Sequence, residues 1–151
     1  MLGVVSGADI IQDLPVYFEE QGVPYNYEHR NEKASPDSYR DYAPHYVILT
    51  AGSKVKDIFN TDTLENVPSW HHQALTGLED TELVLAGYTD VNGVETVEII
   101  ERADKDFVFG FQFHPEAAYV KHLEGADNRT DFLDKDTASV IFKEIGELVN
   151  E

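Results

Sequence analysis

The segment Phe107-Val108-Phe109-Gly110-Phe111-Gln112-Phe113 is nearly continuous in apolar residues and runs straight into His114-Pro115-Glu116. Such a run reads as a β-strand covered on both faces, and therefore as a central strand. Four further β-type runs surround it: Tyr46 to Thr50, Val67 to Trp70, Glu82 to Thr89 and Gly93 to Glu101. Asn92-Gly93 between the last two is a type I′ hairpin signal, so Leu83 to Tyr88 and Val94 to Ile100 are expected to pair antiparallel. Asp134 to Val149 places Ala138, Ile141, Phe142, Ile145 and Leu148 on one face, which predicts an amphipathic C-terminal helix with Asp134 or Asp136 at its N-terminus. The expected composite is an α/β fold with a mixed sheet.

The rest of the chain is less regular. Met1 to Gly7 reads as a helix joined midway, and Asp13 to Pro44, with Pro15, Pro24, Pro36 and Pro44, as an extended surface segment. Its 151 residues fit one domain, 1–151, and neither a repeat nor an interdomain linker is visible. A hydrophobic fraction of 42% with eight Phe and eight Tyr is too rich in core-forming side chains for an acidic disordered tail.

Charge excludes several partner classes. Eleven Lys and Arg against 29 Asp and Glu give a formal net charge of -18, a field that repels nucleic acid and anionic membrane surfaces. No basic patch reverses it. No apolar run approaches the ~20 residues that span a bilayer, and the N-terminus lacks a secretory signal pattern, so a cytoplasmic location is expected. Cysteine is absent, which removes disulfides, thiolate metal sites and a thiol nucleophile from these residues. No cofactor is implied.

Two constellations could carry chemistry. In extended backbone, side chains two apart share a face, so His114 and Glu116 are expected to form a base and its orienting carboxylate at a strand end. Alternatively the tripeptide is a plain strand exit. The second is Ser69-Trp70-His71-His72-Gln73, where adjacent side chains face opposite ways and at most one histidine can join a given site. One of His71 or His72 with His114 and Glu116 would make a two-His-one-carboxylate metal set, but the spacing matches no recognised motif, and the expectation is no metal. Otherwise the segment is an exposed turn with Trp70 in the core. Asp9 with Asp13, and Asp127 with Asp131 and Asp134, lack a calcium-loop spacing and read as surface charge. His29-Arg30 reads as an isolated basic pair.

Taken in order, these motifs resemble the class I glutamine amidotransferase superfamily, and within it the branch of γ-glutamyl hydrolases (peptidase C26) that includes γ-glutamyl-γ-aminobutyrate hydrolase. Ser69 to Ala74 resembles that branch's Ser-x-His-His-Gln-Ala segment, Val91 to Glu98 its Asp-Gly hairpin, and Phe109 to Glu116 its Gly-x-Gln-(Trp or Phe)-His-Pro-Glu signature. Gln12 to Pro15, His29-Arg30, Pro44 to Val47 and Gly52-Ser53 fall where the branch has similar elements. The resemblance implies a three-layer, flavodoxin-like α/β fold in which a cysteine attacks a γ-glutamyl amide. By the same resemblance His114 is the general base, Glu116 its orienter, and Trp70, His71, His72 and Gln73 line the γ-glutamyl pocket.

The chain departs from the family at its start. Met1 to Asp13 resembles what directly follows the family's nucleophile segment, Gly3 stands where Asn is common, and Ala8 and Asp9 replace parts of a Gly-Gly-Thr run. The expectation is a C-terminal portion that keeps the His-Glu of a Cys-His-Glu triad without the Cys and is inactive alone. It would associate as a homo-oligomer or with a complementing N-terminal half. The alternative is a pseudoenzyme, a γ-glutamyl or amino-acid-binding or scaffolding module without turnover.

Overall fold

The computed structural model describes residues 1–31, 42–123 and 132–149. A one-turn helix α1 (Leu2–Val5) leads through β1 (Asp9–Ile11) into α2 (Leu14–Glu20). Then come β2 (Ala43–Leu49), α3 (Lys54–Phe59), β3 (Thr63–Ser69) and β4 (Ala74–Thr76). The hairpin β5 (Leu83–Val91) and β6 (Val94–Arg102) precedes β7 (Phe109–Phe111), α4 (Pro115–Leu123) and α5 (Lys135–Val149).

Five strands form one sheet in the order β3-β2-β5-β6-β7, and β1 pairs with β4 in a second, two-stranded sheet. The α/β class, the hairpin and the C-terminal helix are as the sequence predicts. Every pairing among the described strands is antiparallel; the parallel part of the expected mixed sheet is not among them. Asn92 and Gly93, at φ 53° and 86°, close the β5–β6 turn between the facing pair Val91 and Val94. Positive φ at both central residues is what a type I′ turn requires.

Adjacent residues of β6 feed different cores, because successive side chains on a strand point to opposite faces. Ile99 packs in the main cluster with Val47, Leu49, Val55, Phe59, Phe113, Ala138 and Ile141, which joins the sheet to α3, α4 and α5. Ile100 packs instead with Ala8 and Leu83, and with the half-buried Leu2 and Leu75. Leu14 and Phe18 of α2 build a further cluster with Ala74 and Val94.

Two further expectations change. Helix α2 interrupts the stretch expected to be extended: Asp13 caps it by accepting from the Val16 amide at 3.3 Å, and Pro15 sits in the first turn, where a missing amide costs nothing. Residues 32–41 of that stretch, like Asp127 and Asp131, lie outside the described residues. Strand β7 is regular over three half-buried residues and, among the described strands, pairs with β6 alone at the end of the sheet rather than at its centre. Its phenylalanines pack toward the main core, while Gly110 lies against Ile100 and Leu2 on the other side, where a Cβ would come within 3.0 Å of Ile100.

Helix α5 begins where Asp134 accepts from the amides of Asp136 and Thr137, each at 3.0 Å. Its stripe is buried only in part: Ala138 and Ile141 are enclosed, whereas Phe142, Ile145 and Leu148 are exposed. No described helix is long and apolar enough to cross a membrane.

Candidate functional site

His114 stands where β7 gives way to α4. Its amide donates to the Pro68 carbonyl at 2.9 Å, and its own carbonyl accepts from Ala117 at 3.0 Å. Pro115 opens α4 and puts Glu116 in the first turn. The imidazole Nδ1 lies 2.7 Å from Glu116 Oε1. The pair therefore meets as expected, by a helix start instead of continued extended backbone. An ionised carboxylate can only accept, so Nδ1 carries the proton and Nε2 is left as the basic nitrogen. The Tyr42 ring packs against the imidazole in a T-shaped arrangement, with 5.5 Å between centroids. Both His114 and Glu116 border a groove whose apolar wall is Phe107, Phe109, Ile141, Phe142 and Ile145.

The Ser69 to Gln73 segment splits its side chains among three neighbourhoods. Trp70 is 37% exposed, not tucked into the core, and Arg30 lies over its ring at 5.0 Å. His72 faces outward, 3.3 Å from Arg30 Nη1 through Nδ1. Gln73 donates to Gln12 Oε1 at 2.8 Å and lines a cleft of about 220 Å³ with Gly3, Leu75 and Gln112. His71 turns inward. The backbone is pinned along its length, with His71 N donating to His29 O at 3.0 Å and Leu14 N to His72 O at 2.8 Å.

His71 does not join His114 and Glu116, so the two-His-one-carboxylate set considered from sequence does not assemble. It meets His29, His45 and Glu98, and the four ligand-type atoms lie within 4.8 Å of one another. Glu98 Oε1 is 3.0 Å from His29 Nδ1 and 3.4 Å from His71 Nε2, and Glu98 Oε2 is 3.7 Å from His45 Nε2. All four residues are buried.

Burial by itself would raise the Glu98 carboxyl; His45, His71 and His29 more than offset it and hold it below the usual carboxylate range. Burial also pushes the His45 imidazole down, and Glu98 counters this only in part. Nothing in the sequence spacing announces this cluster, which draws on four separate segments. Its one local sign is a carboxylate inside the apolar run Val97-Glu98-Ile99-Ile100, a placement that is costly unless the charge is compensated.

Glu98 reaches the histidines through a bulge. Gly87 faces Ile99 while the next residue, Tyr88, faces Val97, so Glu98 is the extra residue of β6. Bulges of this kind re-aim a side chain.

No curated protein matches the chain at a significant level. The family model described as Peptidase C26 matches residues 1–116, a span that takes in α1 through the His114–Glu116 pair. The chain belongs to the peptidase C26 family, within the class I glutamine amidotransferase-like group.

Proposed function

We propose that this chain carries the proton-transfer half of a γ-glutamyl amide hydrolase, with His114 as general base and Glu116 as its orienting carboxylate. The 2.7 Å contact between Nδ1 and Oε1 carries the reading. In the cysteine-dependent reaction, His114 Nε2 would take the thiol proton as sulfur bonds to the γ-carbonyl carbon. It would then pass that proton to the departing nitrogen as the C–N bond breaks. Water would then lose a proton to His114 Nε2 and attack the thioester carbon; as the C–S bond breaks, that proton returns to sulfur, which releases glutamate and restores the thiol. Trp70, His71, His72 and Gln73 are proposed as the γ-glutamyl-facing segment. Gln73, which lines the cleft beside Gly3 and Gln112, supports this reading most directly, while His71 would act from behind through the backbone it anchors.

The thiol must come from outside these 151 residues, which contain no cysteine. The chain alone is therefore expected to be inert, and the proposed partner is a complementing segment that bears the nucleophile. The same absence of cysteine favours a second reading, a γ-glutamyl-binding module without turnover. Mixing the chain with such a segment from the family and assaying a γ-glutamyl anilide separates the two. Thiol-dependent hydrolysis that His114→Ala abolishes supports the first. An inert mixture, with γ-glutamyl-γ-aminobutyrate still binding to the chain by calorimetry, supports the second. Hydrolysis by the chain alone that survives His114→Ala sinks both.

A further inference from the structure

We propose that His29, His45, His71 and Glu98 form a closed, four-coordinate site for a divalent transition-metal ion, with zinc the best match, which ties β2, β6 and the two flanking loops together. The inference does not depend on the γ-glutamyl reading.

Hydrogen-bond direction carries it. His45 Nδ1 is 2.9 Å from the Tyr46 carbonyl and His71 Nδ1 is 2.8 Å from the Gln73 carbonyl. A carbonyl oxygen only accepts, so both imidazoles are protonated at Nδ1 and present a bare Nε2 lone pair in their neutral form. Those two lone pairs face a carboxylate, which also only accepts. His29 Nδ1 approaches the same carboxylate, yet neither nitrogen of His29, neither oxygen of Glu98, nor the Nε2 atoms of His45 and His71 has a properly directed hydrogen bond. One shared proton would satisfy a single contact of the three. A cation at the centre satisfies all four groups together.

The carboxylate edges have the right dimensions. Tetrahedral zinc with ligand distances of about 2.0–2.1 Å has ligand–ligand edges of about 3.3–3.4 Å, and the three carboxylate–imidazole separations are 3.0, 3.4 and 3.7 Å; the four ligand atoms spread over up to 4.8 Å, so the imidazoles would close in on the ion. The two Nδ1–H to carbonyl bonds are what metal-bound histidines ordinarily make with their other nitrogen, fixing tautomer and ring orientation. Three imidazoles and one carboxylate with no thiolate suit zinc and its first-row neighbours and do not suit calcium or magnesium, which prefer oxygen. Four protein ligands, each no more than 8% exposed, leave no open position for water. The site is therefore structural and not hydrolytic.

The test uses the full 151-residue chain after chelator treatment, with folding checked by circular dichroism. Cobalt(II) should bind one equivalent and give the intense visible absorption of a tetrahedral centre, and zinc should displace it. Zinc should also raise the melting temperature by several degrees at saturation. Glu98→Gln should weaken zinc binding by more than ~100-fold, whereas His72→Ala, on the outward-facing neighbour, should leave it unchanged. The cobalt spectrum of the unaltered chain decides the matter even if Glu98→Gln fails to fold. A folded chain that binds neither zinc nor cobalt at micromolar concentration overturns the proposal. So does an octahedral cobalt spectrum, or binding lost in His72→Ala and kept in Glu98→Gln.

Discussion

The carbonyl of Glu98 accepts the amide of Gln112 at 2.8 Å, which joins the strand that delivers the buried carboxylate to the loop that delivers His114. Pro68 holds the His114 amide from the other side. The main chain that carries His114 is thus held on both flanks, and Glu116 has only the imidazole ring left to orient. Substitution of Glu116 should therefore release the ring and its tautomer without moving the backbone that presents it. In a chain complemented with a nucleophile segment, His114→Ala should lower kcat/KM by about 10²–10⁴-fold. Glu116→Gln, which keeps an acceptor for Nδ1–H, should cost less than Glu116→Ala. Equal losses in the two Glu116 variants would show that the carboxylate charge, not its hydrogen bond, is what matters.

Glu101 closes the N-terminus of α3. Its two oxygens accept from the amides of Lys54 and Val55 at 3.1 and 3.2 Å, and the residue is buried. Glu101→Ala would leave buried amides without acceptors, and an unfolding free energy lower by about 2–3 kcal/mol is expected in urea titration. A loss below about 0.5 kcal/mol would mean that water replaces the carboxylate.

Two glycines should respond in opposite directions to the same change. A Cβ at Gly87 would sit 2.9 Å from two Ile99 carbons and 3.0 Å from Val47 Cγ1, beside the bulge that aims Glu98. Gly87→Ala is expected to destabilise by about 1–3 kcal/mol through overpacking. At Gly146, inside α5, a Cβ meets nothing within 4 Å, and Gly146→Ala should stabilise by about 0.5–1 kcal/mol through helix propensity. Thermal unfolding of the two variants reads both signs.

Acid should fray α5 through Asp134. Its carboxyl is held below the usual carboxylate value, first by the Thr137 hydroxyl and then by the Thr137 and Asp136 amides. A depressed folded-state pKa gives stability that is complete above the unfolded value of about 3.9 and is lost as pH falls through the folded value. Asp134→Ala should therefore cost about 1 kcal/mol at pH 7. The gap from the unaltered chain should close at the acid end of a pH series of urea titrations. A gap constant with pH would show that the charged cap does not contribute.

What could be read from the sequence was what depends on neighbours along the chain. Asn92-Gly93 requires positive φ, and the period of Ala138, Ile141 and Phe142 requires a helix, so both elements were legible. The pairing of His114 with Glu116 was legible as well, but it is made by the helix start at Pro115 and not by the extended backbone on which the two-residue argument rests. Helix α2 was hidden because Pro15 reads as punctuation until Asp13 is seen as its cap. The edge position of strand β7 is not legible, because apolar content signals coverage of its faces and says nothing about which strands lie beside its edges. The His29, His45, His71 and Glu98 cluster was illegible for a different reason: its members are brought together by pairing across the sheet and by a bulge, neither of which any local window contains.

The Asn92-Gly93 turn also has a consequence in time. The β5–β6 ribbon closes between residues adjacent in sequence, on the microsecond scale typical of hairpins, while Ile48 must find Tyr88 across the chain and pay a larger loop entropy. The ribbon should thus form early and β2 should dock late, bringing His45 to a Glu98 already in place. Contacts made that late act on the rate of unfolding more than on the rate of folding. Whatever holds the buried histidines together should therefore govern how long this protein stays folded more than how quickly it gets there.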